Sequence, residues 1–200
     1  MAKSDMAQNI VKPSAEGIAA SARAAQKRGL PPVHLWNPPD CGDLDMRIAR
    51  DGTWFYLGTP IGRPELVRLF STILRKDDDR YVLVTPVEKV GIQVDDAPFV
   101  AVDFEVEGDG REQILSFETN LGDMAVAGLD HPIRVERDAE TGEPSPYILI
   151  RAALEALIDR KSFYRLVELG AHSDVEGTSW FGLWSTGQFF PIIPSKELPT

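Results

Sequence analysis

MRIARDG at residues 46–52 returns as IRVERDA at residues 133–139. Arg47, Arg50 and Asp51 are repeated as Arg134, Arg137 and Asp138, and Met46/Ile133 and Ile48/Val135 are apolar matches. A chain that says one phrase twice is constrained to build two like elements. Met46 and Ile48 alternate with Arg47 and Ala49, the period of a half-buried strand. Asp51-Gly52 turns the chain and TWFYLG returns as the second strand of a hairpin. A helix is expected over Arg63–Arg75, with Pro64 in its first turn and Leu66, Leu69, Phe70, Ile73 and Leu74 on one face.

The second phrase follows the same plan. PIRVERD is a strand, AETGEPSP a longer turn and YILI a strand. A helix with Ile150, Leu154, Leu157 and Ile158 on one face is expected next, and SFYRLVELG reads as another short helix. Arg134 stands 87 residues after Arg47, Arg151 stands 88 after Arg63, and Lys161 stands 85 after Lys76. The string R-x-x-R-D is short enough to recur by chance. The nearly constant offset across strand, turn and helix favours duplication of a β-hairpin–helix unit.

Between the copies, KVGIQVDD, FVAVDFEVEG and EQILSFETN alternate as strands of an antiparallel meander with one wet face. YVLV is a strand before them, and GLWS, TG and FFPII form a last hairpin. LPPVHLWNPPDCGD (30–43) carries four prolines and reads as an extended strap anchored by Leu35 and Trp36. Residues 1–29 read as a flexible basic tail. A helix over 14–28, capped by Ser14 and ended by Gly29, has Ile18 as almost its only large apolar residue, so it is expected at the periphery. The resulting division is a tail to residue 29, an N-terminal lobe over 30–86, a C-terminal lobe over 87–194 and a tail over 195–200.

Composition limits the function classes. A net charge of −10 repels nucleic acid polymers and anionic membrane surfaces, but leaves room for a local basic pocket. Cys41 is the single cysteine, which excludes an intrachain disulfide and any zinc site needing two cysteines. No stretch has the length of a membrane span and the start is not a signal peptide, so a cytoplasmic location is expected.

WNPPDCGDLDMRIARDGTWFYLGTPIGRPELVRLF, YVLVTPVEKVGIQVDDAPFVAV, PIRVERD and LWSTGQFFPI together resemble an uncharacterised bacterial family, known as a domain of unknown function, over roughly Leu35–Ile192. The resemblance implies an α+β protein with a duplicated core and a second lobe loosely like a pleckstrin-homology fold. It also implies a role in signal transduction, linked to oxidative stress, with a nucleotide-like ligand between two lobes. It carries no catalytic signature.

The repeated arginines are the leading chemistry. A guanidinium fork binds phosphate or carboxylate in bidentate fashion. Arg47 and Arg134 take matching strand positions, Arg50 and Arg137 matching turn entries, Arg63 and Arg151 matching helix starts. The plainer reading pairs them with Asp51, Asp138, Glu65 and Glu136 inside the fold. Lys89 and Asp95, at the junction of lobe and meander, add an anion contact and a ribose or amine contact; Asp96 and Pro98 read as turn chemistry. Trp54, Tyr56, Trp180, Phe181, Trp184, Phe189 and Phe190 suit core packing better than base stacking. Cys41 with His34 and Asp43 has no spacing that would aim it, and neither G-x-S-x-G nor a phosphate loop is present.

The expectation is an α+β fold of two similar lobes with antiparallel sheets and a shared interface. It would act as a non-enzymatic sensor of a small anionic, nucleotide-like ligand held by Arg47, Arg50, Arg63, Lys89, Asp95, Arg134, Arg137 and Arg151. No catalytic residue, metal site or cofactor is expected. The alternatives are a protein–protein adaptor using a sheet edge or the SWFGLW region, and an enzyme with Asp95 or Glu88 as acid or base beside Lys89.

Overall fold

The computed structural model describes residues 13–26 and 29–198; the parts of the expected tails over residues 1–12, 27–28 and 199–200 fall outside these residues. The fold is two-lobed and mostly β, with antiparallel and mixed sheets and few helices. Among the described residues, one compact unit holds those up to Met46 together with Phe55–Gln93; the other holds Arg47–Trp54 and those from Val94 on.

In the first unit, α1 (Ala15–Ala25) is capped by the Ser14 hydroxyl, which accepts from the Gly17 N–H. Far from fraying, α1 buries Ala15, Ile18, Ala19 and Ala22. Three of the four are alanines, and so small a face lets α1 lie close against its neighbour α2 (Pro64–Thr72) without large side chains. We expect Ile18→Ala to cost about 2–4 kcal/mol, read as a lower urea midpoint at unchanged slope. A solvated tail would show no loss.

The strands β1 (Asp40–Ile48), β2 (Trp54–Tyr56), β3 (Thr59–Pro60), β4 (Leu74–Asp77), β5 (Arg80–Val84) and β6 (Lys89–Val94) form a sheet in the order β3-β2-β1-β6-β5-β4. β6 lies beyond the expected lobe boundary at residue 87 and is inserted beside β1. Helix α2 starts where Pro64 predicts but stops at Thr72, not Arg75. The Ser71 and Thr72 hydroxyls donate back to the Arg68 and Leu69 carbonyls, and Leu74–Asp77 leaves to pair with β5. In the proline strap Leu35 is 72% exposed and anchors nothing. The strap is tied through its backbone instead: the Arg75 Nη1 donates to the carbonyls of Val33 (2.6 Å) and Trp36 (2.8 Å).

In the second unit, β7 (Phe99–Glu107), β8 (Ile114–Thr119), β9 (Met124–Val126), β10 (Ile133–Arg137), β11 (Pro144–Arg151) and β12 (Leu154–Ile158) form a sheet in the order β10-β11-β12-β7-β8-β9. Only the β12–β7 pairing is parallel among those resolved in this sheet. The sheet curls into a half-barrel, so that Arg151 at the end of β11 reaches Asp123 at the entry to β9 (2.5 Å). Phe99, Phe104, Leu115, Phe117, Ile148 and Ala156 fill its interior.

The helix expected over 150–158 is instead the β11–β12 hairpin. Ala152 turns the chain with φ +47°, and Leu154, Ala156 and Ile158 alternate inward against β11 and β7. Arg151 therefore ends a strand and starts no helix. The helix that does follow is α3 (Arg160–Glu168), capped by Asp159 accepting from the Ser162 N–H at 2.7 Å. β13 (Ala171–Val175), β14 (Thr178–Ser185) and β15 (Gln188–Pro194) close the chain as a three-stranded antiparallel sheet. No helix among the described residues is long and apolar enough to cross a membrane.

Candidate functional site

Both repeated strand arginines grip a carboxylate with two nitrogens. Arg47 Nε lies 2.8 Å from Asp95 Oδ1, and its Nη2 binds Oδ2. Arg134 holds Glu155 at 2.6 Å through both Nε and Nη2, touches Glu136, and lies 4.3 Å over the Tyr147 ring. Glu155 before all else keeps the Arg134 guanidinium protonated more firmly than usual. Burial and then the Asp96 carboxylate push the Tyr147 phenol up to about 12. The repeated aspartates also share one job. Asp51 accepts from the Thr53 N–H, and Asp138 from the N–H groups of Glu140 and Thr141; these bonds hold both carboxyls below the usual carboxylate range.

The remaining expected site residues scatter. Arg63 is exposed at the N-cap of α2. Lys89 lies 3.0 Å from Asp77, which Arg75 also grips through two nitrogens. Arg137 is 3.6 Å from Glu197, and Arg151 is held by Asp123 over the Phe99 ring.

Arg50 joins the two repeats. Its Nε is 3.1 Å from Asp96, and its Nη2 donates to Ser145 Oγ at 3.0 Å, in the strand that follows the second repeat. There it lines a pocket of about 410 Å³ together with Asp138, Thr141, Glu143, Ser145, Asp159 and Arg160. Asp138 and Asp159 each spend one oxygen, Oδ1, on backbone N–H groups, and Glu143 pairs with Arg160. Arg160, Thr141 and Ser145 are absent from the sequence-based set. The helix expected over 150–158 hides Arg160, Thr141 lies in a turn whose fold is not encoded in any period, and Ser145 opens the strand after it. Among the described residues, no group of three or more His, Cys, Asp and Glu is placed to hold a metal ion.

Two family models match: "Domain of unknown function (DUF1285), N-terminal domain" over residues 31–97 and "Protein of unknown function (DUF1285), C-terminal domain" over residues 98–192. The chain is similar to the crystal structure of a DUF1285 family protein from Silicibacter pomeroyi DSS-3, with 65% identity, 90% of this chain and 97% of that one covered, and a TM-score of 0.82. A DUF1285 family protein from Shewanella baltica OS155 is 31% identical over 62% of this chain and 91% of that one, with a TM-score of 0.49. A comparison with the curated proteins finds no match.

Proposed function

Because this chain belongs to the DUF1285 family, both of whose domains it carries in order, we propose that its second unit is a non-catalytic receptor for a small anion. The ligand is a phosphorylated or carboxylated metabolite up to the size of a nucleotide, and its occupancy is the signal. The observation that carries this is the meeting of Arg50, from the first repeat, with Arg160 and the hairpin of the second repeat around one pocket.

Charge supports the reading despite the acidic lining. Arg160 and Glu143 are 71% and 58% exposed in their side chains, so their pair is worth about 0–1 kcal/mol and yields to a better-placed anion. Arg50 is 62% exposed and is free to turn from Asp96 at similarly small cost. The Oδ1 atoms of Asp138 and Asp159 are taken up by backbone N–H groups, and the two guanidiniums pair with Asp96 and Glu143 instead. The Ser145 hydroxyl, which accepts from Arg50, adds a donor for a phosphate oxygen, whereas the Thr141 hydroxyl donates to Asp138. The volume falls at the small end of ligand pockets, about 300–1,000 Å³.

The same reading takes the two hairpins as descendants of one ancestral unit. Their bidentate arginines and Asx turns support this, as does the place of β3, which follows β2 and precedes α2 as β12 follows β11 and precedes α3; the longer turn and strands of the second copy put the start of α3 96 residues after that of α2. The curled sheet followed by α3 supports a loose likeness of the second unit to the pleckstrin-homology fold.

Thermal denaturation with inorganic phosphate, pyrophosphate, citrate and adenosine monophosphate tests the site. A ligand at a hundred times its dissociation constant stabilises by about 2.7 kcal/mol. We expect at least one of these anions to raise the midpoint with dose, and Arg50→Glu and Arg160→Glu each to abolish the rise while remaining folded. No rise with any of them, or one indifferent to both charge reversals, refutes the reading.

A further inference from the structure

A sheet edge is an open template for another strand. Among the described residues six strands end a sheet, and five of them are short or covered. β3 has two residues, one of them Pro60. β4 lies against Val33–Leu35 of the strap, β9 against β11, and β10 and β15 against each other. β13 pairs with β14 on one side, and no backbone bond from the described residues reaches its other side. Its His172 and Asp174 are exposed.

The β13–β14 turn decides which backbone groups face outward. Glu176 and Gly177 turn the chain with φ +52° and +78°, the two-residue hairpin that makes Val175 and Thr178 a hydrogen-bonded pair. Alternation then points the N–H and C=O of Ala171, Ser173 and Val175 at β14, and those of His172 and Asp174 away from it. The two side chains share one face of the strand. The His172 ring meets the Phe181 ring edge-on at 5.5 Å, and its Nδ1 lies 2.8 Å from Ser195 Oγ, which leaves Nε2 for a further partner. Asp174 Oδ1 accepts from the Gly177 N–H, which leaves Oδ2.

The strand is complementary to itself in one register. Antiparallel pairing about a twofold axis at Ser173 sets His172 of each copy opposite Asp174 of the other, and Ala171 opposite Val175. An axis at Asp174 brings two carboxylates face to face, and an axis at His172 two imidazoles. The Ser173 register also makes His172 and Asp174 the hydrogen-bonded pair, because theirs are the outward N–H and C=O groups. We propose that two copies of this chain associate through β13, joining their three-stranded sheets edge to edge. Backbone bonds hold the strands together, and the cross-strand pairs of His172 with Asp174 and Ala171 with Val175 fix the register.

The test is analytical ultracentrifugation of the whole protein, of His172→Glu and of Asp174→Lys. Both positions are exposed, and circular dichroism confirms that the variants are folded. The wild type should dimerise as its concentration rises and, in a reading that needs no variant, hydrogen exchange at the His172 and Asp174 amides should slow in step. Each variant alone should associate about tenfold or more weakly, because His172→Glu sets two carboxylates face to face and Asp174→Lys sets an ammonium against the imidazole. An equimolar mixture of the two variants should regain association. The new carboxylate at position 172 of one then faces the new ammonium at position 174 of the other, and a defect in either fold is not repaired by mixing. The proposal is overturned by a dimer that ignores both reversals or protects other amides, or by a mixture no better than its components. A wild type that stays monomeric up to about 1 mM leaves the edge to a strand of another protein and also overturns it.

Discussion

Asp77→Asn should destabilise the protein by about 3 kcal/mol at neutral pH, and the loss should shrink towards zero in acid. Asp77 is the hub of the first unit's ion network. Arg75 Nε and Nη2 hold it at 2.6 and 2.9 Å and Lys89 Nζ at 3.0 Å, while the third Arg75 nitrogen fastens the proline strap. The Arg75 bonds, and after them Lys89, hold the carboxyl down at about 2 against their opposing burial, where 3.8 is usual. A depressed carboxylate stabilises fully above its unfolded value and loses that contribution as pH falls through the folded one. This part amounts to about 2 kcal/mol, present above pH 4 and fading between there and pH 2. The rest reflects Arg75, with a side chain only 17% exposed, left without its carboxylate. Urea unfolding of both proteins at pH 7, 5 and 3 reads the difference. It should be equal at the first two and clearly smaller at the third. A gap as wide at pH 3 as at pH 7 would mean that the carboxylate's charge is not the cause.

Gly182→Ala should be nearly as costly for a reason unrelated to charge, about 3 kcal/mol. Gly182 is buried in β14 where the register to β15 slips between Phe181 and Gly182. A Cβ there would run into the Phe190 carbonyl oxygen and come within 2.9 Å of Pro191 Cα. Both are backbone atoms of the paired strand and cannot rotate aside, so β15 itself would have to move. Thermal denaturation of Gly182→Ala beside Gly187→Ala isolates the effect. Gly187 sits in the exposed β14–β15 turn with open space around its Cα, and its cost comes from φ +75° alone. The reading fails if Gly182→Ala is no worse than Gly187→Ala.

The candidate pocket was half visible before the fold. Arg50 and Asp138 stand out because the phrase that contains them occurs twice. Arg160 is hidden by a misplaced helix: Ala152-Ala153 has the composition of a helix interior and none of the Asn, Asp or Gly that marks a two-residue hairpin turn. Ile150, Leu154, Leu157 and Ile158 then satisfy a helical spacing as well as an alternating one, and so short an apolar run does not separate the two. Pairing on both sides, with β11 and with β7, makes it a strand. α1 was undervalued for a similar reason, since a face of alanines carries little hydrophobic signal yet packs closely.

By itself the sequence determined what depends on near neighbours. Most strands follow from alternation, the turns at Asp51 and Asp138 from a side chain that bonds the backbone two or three residues on, and the start of α2 from Pro64. The tertiary structure alone decided what each charge meets. Arg47 finds Asp95 across 48 residues and Arg50 finds Ser145 across 95. An arginine attracts every carboxylate alike, and only the register of strands far apart in the chain brings one of them within reach.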